Sequence, residues 1–130
     1  MINVALIGLG RIGQMHAENL FSHKSFKLKY TFDINTKLNK KLSKKFNSIS
    51  INNPKIAFKD KNIDLIFIAS STPTHIKLIE EAAKYKKVIF CEKPLDLNIE
   101  AVNKCLRKIK KLNPKIQLGF IEGMTRVIVR

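Results

Sequence analysis

The 130-residue chain predicts an α/β domain, a doubly wound parallel sheet with helices on both faces, from three observations. Short β-rich runs alternate with helical patterns at about 30 residues per unit, which calls for right-handed crossovers between parallel strands. The run Asp64-Leu65-Ile66-Phe67-Ile68-Ala69 is almost continuously apolar, as a strand covered on both faces must be. Third, Gly8-Leu9-Gly10-Arg11-Ile12-Gly13 places a glycine turn between a first apolar run and a helical pattern.

The elements follow in order. A first strand is expected over residues 3–7 and a helix over 12–22, with Ile12, Met15, His16, Asn19 and Leu20 sharing one face. A second strand over 26–32 precedes Asn35 and Thr36, candidate caps of a Lys-rich helix that carries Leu38, Leu42 and Phe46 at four-residue spacing. Residues 49–51 read as a short third strand, and Pro54 as the start of a helical turn reaching Phe58. After the central strand at 64–69, Ser71-Thr72-Pro73 caps a helix to Tyr85 that turns Ile76, Ile79, Ala82 and Ala83 inward. A strand over 87–91, a helix over 98–111 and a sixth strand over 115–120 complete one domain, residues 1–120; residues 121–130 form a tail apart from it.

Composition narrows the function. With 45% hydrophobic residues the chain can fill a core. Its longest apolar run, 65–69, is far short of the roughly 20 residues that cross a bilayer, and Met1-Ile2-Asn3 is no basic leader, so the expected location is the cytoplasm with no membrane partner. Cys91 and Cys105 have neither metal-ligand spacing nor the number a disulfide scaffold needs, which predicts reduced thiols and no metal. The net charge of +15 raises the question of nucleic acid, yet 21 of the 25 basic residues are Lys, whereas readers of phosphates and base edges lean on Arg forks. Ile, Lys and Asn together make up 50 of the 130 residues, and all three have A/T-rich codons, so mutational bias accounts for the charge. Lys37, Lys40, Lys41, Lys44 and Lys45 read as a solvated helix face, with weak, salt-sensitive polyanion binding as the alternative; no specific nucleic acid is expected.

The glycine turn carries the chemistry. Gly8 allows the tight turn, Gly10 lets a pyrophosphate approach the backbone, and Gly13 lets the helix pack on the sheet. The helix N-terminus offers N–H groups and a partial positive charge to that anion. Asp33, 20 residues beyond Gly13 at the end of the second strand, is where an acid accepts the two ribose hydroxyls of an adenosine. The plainer readings are an ordinary turn for Gly8 and Gly10 and a helix-capping acid for Asp33. Taken together the features favour dinucleotide binding, and an Asp that repels a 2′-phosphate favours NAD over NADP.

Farther along, Ser70-Ser71-Thr72-Pro73-Thr74-His75 and Cys91-Glu92-Lys93-Pro94 fall at the carboxyl ends of the fourth and fifth strands, where ligands of such sheets bind. With these segments the sequence resembles the Gfo/Idh/MocA oxidoreductases, the family of glucose-fructose oxidoreductase and inositol 2-dehydrogenase. The matching stretches are Val4 through Gly13, His16-Ala17-Glu18-Asn19-Leu20, Asp33-Ile34-Asn35, Ser71-Thr72-Pro73-Thr74-His75 and Glu92-Lys93-Pro94-Leu95, and the likeness runs from Met1 to Phe120. The resemblance implies a Rossmann domain whose cofactor is NAD, held by Gly8, Gly10, Arg11, Ile12, Gly13, Asp33, Ser71, Thr72, His75, Glu92 and Lys93. It implies that Lys93 lies beside the nicotinamide and the substrate hydroxyl as the catalytic candidate, and that Glu92 contacts the cofactor's ribose or amide. Ser71 and Thr72 would line the path from pyrophosphate to nicotinamide. Lys93 as a surface lysine and His75 as a helix-surface residue are the plainer alternatives. His16 and His23 read as ordinary helix residues, and Cys91 as strand packing.

The resemblance further implies an NAD-dependent dehydrogenase acting on a hydroxyl carbon of inositol or a related sugar, with a second, substrate-binding domain beyond this chain. Homo-oligomers are then expected only with that domain, and the 130 residues alone are expected to bind cofactor with little turnover. The alternative is a non-catalytic NAD(H)-binding module working with a partner chain. The pattern breaks after Gly119-Phe120, where the family continues with Asn-Arg-Arg-x-Asp and this chain with Ile121-Glu122-Gly123-Met124-Thr125-Arg126. Restoring one A after the Phe120 codon returns an Asp in the fifth place, because Met124 ends in G and Thr125 begins with AC. The expectation is a single-base loss within this strand.

Overall fold

Six strands form one sheet in the computed structural model, which describes residues 1–93 and 95–119. Pro94, Phe120 and the tail 121–130, including the expected frameshift, lie outside the described residues. The strands are β1 (Ile2–Ile7), β2 (Phe26–Phe32), β3 (Ile49–Ser50), β4 (Leu65–Ile68), β5 (Val88–Glu92) and β6 (Lys115–Gly119). Their order is β3-β2-β1-β4-β5-β6 and every neighbouring pair is parallel. Helices α1 (Arg11–Ser22), α2 (Thr36–Lys45), α3 (Lys55–Lys59), α4 (His75–Lys84) and α5 (Ile99–Lys110) make the crossovers. This is the doubly wound sheet expected. The chain winds outward in both directions from β1 and β4, so the loops leaving their carboxyl ends diverge and open a crevice there.

Each face of the sheet has its own core. Ile7, Phe58, Ile66, Ile68, Ile79, Ile89 and Ile109 pack together on one side, and Val4, Leu6, Leu9, Leu20, Leu28, Leu42, Phe46 and Phe67 on the other. β4 sends Ile66 and Ile68 to the first and Phe67 to the second, which is why its sequence is apolar at every position. Burial of each such large side chain stabilises the fold by roughly 1.5–3 kcal/mol.

Two local features depart from simple periodicity. In β2 the register skips Lys29, with Val4 opposite Leu28 but Ala5 opposite Tyr30. That bulge moves the strand's apolar residues across the sheet: Leu28 joins the core under α2, and Tyr30 and Phe32 join the one beside α3. In α1 the inner face is Gly13, Ala17 and Leu20, with Met15 and Asn19 exposed, so the expected stripe of Ile12, Met15, His16, Asn19 and Leu20 is displaced. Close approach is the reason. A Cβ on Gly13 would lie 2.0 Å from the Gly8 carbonyl oxygen, so small residues face the sheet where the helix is nearest, and counting apolar bulk misses them.

Between β4 and α4, a 3-10 turn at Thr72–Thr74 with Ser71 before it replaces a direct helix start. At the start of α5, the Asn98 side chain accepts from the N–H groups of Glu100 and Ala101, which begins the helix cleanly. No helix among the described residues is long and apolar enough to cross a membrane.

Candidate functional site

The glycine turn sits at the crevice. Gly8 has φ +102°, in the left-handed region, and a Cβ there would stand 2.4 Å from the Ser70 amide nitrogen. Its N–H donates to the Phe32 carbonyl at 2.8 Å, tying the turn to the end of β2. Gly10 caps α1 with extended backbone and no side-chain cap, and the first helical turn carries no acidic residue. A Cβ built on Gly10 meets nothing within 4 Å. The N-terminal N–H groups of α1 therefore open toward a space that the chain itself leaves clear, which suits an anion.

Asp33 holds this turn from the side. Its Oδ2 accepts from the Leu9 N–H at 2.8 Å and its Oδ1 from the Asn35 N–H at 2.8 Å. Each oxygen keeps acceptor capacity beyond those bonds, so a half-buried carboxylate fixed in place can also receive hydroxyl donors. Gly8, Gly10, Asp33 and Ser71 line one cleft of about 690 Å³. Asn53, Pro54, Lys55, Lys77, Leu78 and Glu81 close its far side, and the sequence reading missed all of them. The available signal was the turn chemistry of Asn53-Pro54, where the Asn53 side chain accepts from the Lys55 N–H at 2.9 Å.

The remaining candidates, Arg11, Ile12, Gly13, Thr72, His75, Glu92 and Lys93, are not among the residues that line that cleft. Thr74 Oγ1 donates to the Ser71 carbonyl, so the Ser70 hydroxyl donates to Thr74 Oγ1, both at 2.6 Å, and this chain of bonds shapes the loop after β4. His75 is buried, which removes the plainer alternative of a helix-surface residue, and its Nε2–H donates to the Ser70 carbonyl at 2.7 Å. Arg11 is exposed, Ile12 and Thr72 are half-buried, and Gly13 lies behind Gly8. At the end of β5, Lys93 is exposed and Glu92 is buried. Glu92 meets His16 Nε2 of α1, so the histidine read as an ordinary helix residue contacts a candidate site residue. Burial pushes the Cys91 thiol well above its usual range and Cys105 up to about 11, leaving both as packing groups. No cluster of three or more potential metal ligands occurs among the described residues.

Known proteins share this arrangement. The oxidoreductase family with an NAD-binding Rossmann fold, Gfo/Idh/MocA, matches residues 2–120. The chain is 35% identical over 120 residues to the myo-inositol 2-dehydrogenase of Thermotoga maritima, a match covering 92% of this chain and 36% of that protein. Among solved structures, a myo-inositol dehydrogenase from Corynebacterium glutamicum superposes with a TM-score of 0.85 at 34% identity, covering 92% of this chain and 36% of that one. The scyllo-inositol dehydrogenase of Lactobacillus casei, solved with NAD(H) and scyllo-inositol, gives 0.83 at 30% identity with the same coverage. The chain thus spans 36% of the length of these relatives. Because the match runs from β1 to the end of β6, the chain belongs to the Gfo/Idh/MocA oxidoreductase family, and residues 2–120 are its NAD-binding Rossmann domain.

Proposed function

We propose that the cleft between the Gly8–Gly13 turn, Asp33 and the loop after β4 holds NAD(H) for hydride exchange with a hydroxyl carbon of inositol or a related sugar. The observation that carries this reading is the clear space beside Gly10 at the start of α1, with the Asp33 carboxylate fixed next to it. In this reading the pyrophosphate lies on the α1 N–H groups, and Asp33 accepts the ribose hydroxyls and disfavours a 2′-phosphate. Bound NAD supplies the hydride chemistry at its nicotinamide. Glu92 then contacts the nicotinamide ribose or amide, and the Lys93 ammonium orients the substrate oxygen.

Fluorescence titration with NADH tests the site directly. Gly10→Leu is the clean variant, because the extended backbone at Gly10 accepts any residue and a Cβ there meets nothing within 4 Å. It should weaken NADH binding at least about tenfold while the melting transition stays cooperative. An unchanged affinity in Gly10→Leu would remove the cleft from the cofactor path. Asp33→Ala should also bind poorly, but it frees the Leu9 N–H as well, so it cannot separate ribose recognition from loop geometry.

A further inference from the structure

One side-chain pair joins the helix that takes the pyrophosphate to the strand end that carries the nicotinamide candidates. His16 lies in the second turn of α1, and its Nε2 meets the Glu92 carboxylate at the end of β5 across 76 residues of sequence. A carboxylate oxygen accepts, so Nε2 carries the donated proton. The two side chains are 16% and 7% exposed, and a carboxylate that shielded needs a donor. The imidazole cannot swing freely. Its ring centroid lies 4.5 Å from that of Phe67 and 6.2 Å from that of Phe90, and those two rings are 4.3 Å apart.

We propose that His16 is a positioning residue for the nicotinamide half of the cofactor. By donating to Glu92 from a ring clamped on Phe67 and Phe90, it holds the Glu92-Lys93 end of β5 in register with α1 and hence with the pyrophosphate. The proposal rests on the placement of NAD given above. Nothing local requires the pair: α1 is already seated by Gly13, Ala17 and Leu20, and β5 is already paired with β4 and β6. What the pair adds is a fixed direction for the Glu92 carboxylate, the group assigned to the nicotinamide ribose or amide. Its loss should therefore be felt by ligands that carry nicotinamide and ignored by those that do not.

ADP-ribose provides that contrast, since it shares the adenosine and pyrophosphate of NADH and lacks the nicotinamide. The 130-residue chain is titrated with both ligands as wild type, His16→Phe and His16→Gln. His16→Phe keeps a ring against Phe67 and Phe90 and removes the donor; His16→Gln restores an amide N–H. The expected result is ADP-ribose affinity within about twofold of wild type in both variants, with NADH weakened about tenfold by Phe and largely recovered by Gln. Should His16→Phe not fold, as circular dichroism would show, His16→Asn replaces it, with an amide too short to reach Glu92 and the same selective loss expected. Equal weakening of both ligands, no change in either, or no recovery with Gln would overturn the positioning role while leaving the cleft intact as the cofactor site. A wild-type chain that binds neither ligand would overturn the placement of NAD itself, and this proposal with it.

Discussion

Gly8, Gly10 and Gly13 are one letter in a motif and three different constraints in space. Gly8→Ala forces a side chain onto φ +102° and against the Ser70 backbone, and Gly13→Ala drives a Cβ to 2.0 Å from the Gly8 carbonyl. Each should cost about 2–3 kcal/mol or more, read as a lower urea midpoint, whereas Gly10→Ala should cost no more than about 1 kcal/mol. Similar midpoints for all three would mean that the loop relaxes in a way this geometry does not allow. The motif made the three positions legible because spacing is a local property. It could not rank them, since the atoms that crowd Gly8 belong to Ala69 and Ser70, about 60 residues away in sequence. The same limit hid His16, whose partner is Glu92, and Lys77, which shares a cleft with Asp33 only once α4 has packed against β4 and β5. His75 was ambiguous for a related reason: its acceptor is a loop carbonyl, and no side-chain pattern announces one.

At the scale of elements, alternation and continuous apolarity revealed the parallel strands, because both are consequences of burial on known faces. The bulge at Lys29 left no such trace, since a skipped residue changes register without changing composition. Around that bulge an ionic cluster ties three elements at the end of the sheet away from the cleft. Asp60, which caps α3, accepts from Lys29 Nζ and Tyr30 Oη of β2, each at 2.7 Å, and from the Asn62 N–H at 2.8 Å. Lys87, just before β5, donates to the carbonyls of Asp60 at 2.6 Å and Ile63 at 2.8 Å. The Lys29 ammonium, then the Tyr30 hydroxyl, hold the Asp60 carboxyl well below the usual carboxylate range. A carboxyl depressed on folding stabilises the protein fully above its unfolded value, near 4, and less as pH falls through the interval below it. Asp60→Asn should therefore melt at a lower temperature than wild type at pH 7, and the two melting curves should converge between about pH 4 and pH 2. A difference that stays constant down to pH 2 would show that the cluster acts through packing rather than charge.

For the molecule as a whole the question is whether a net charge of +15 or a shaped cleft governs what it binds. Lys37, Lys40, Lys41, Lys44 and Lys45 all stand exposed on and just around α2, so a diffuse positive field is present whatever the cleft does. The two modes respond differently to salt. Binding of a polyanion to a lysine field releases condensed counterions, and each neutralised phosphate of a single strand adds about −0.7 to the slope of log K against log salt. Four such contacts would lower affinity by tens of fold between about 50 and 200 mM salt. NADH carries no condensed counterion layer, and in the proposed site its pyrophosphate is met by fixed backbone N–H groups at short range, which salt screens little. Measured over that range, NADH affinity should fall by about fourfold or less while the affinity for a single-stranded oligonucleotide collapses. If the two fall in parallel, NADH is being held by the lysine field and not by the glycine turn, because only a shared electrostatic mechanism gives a shared slope.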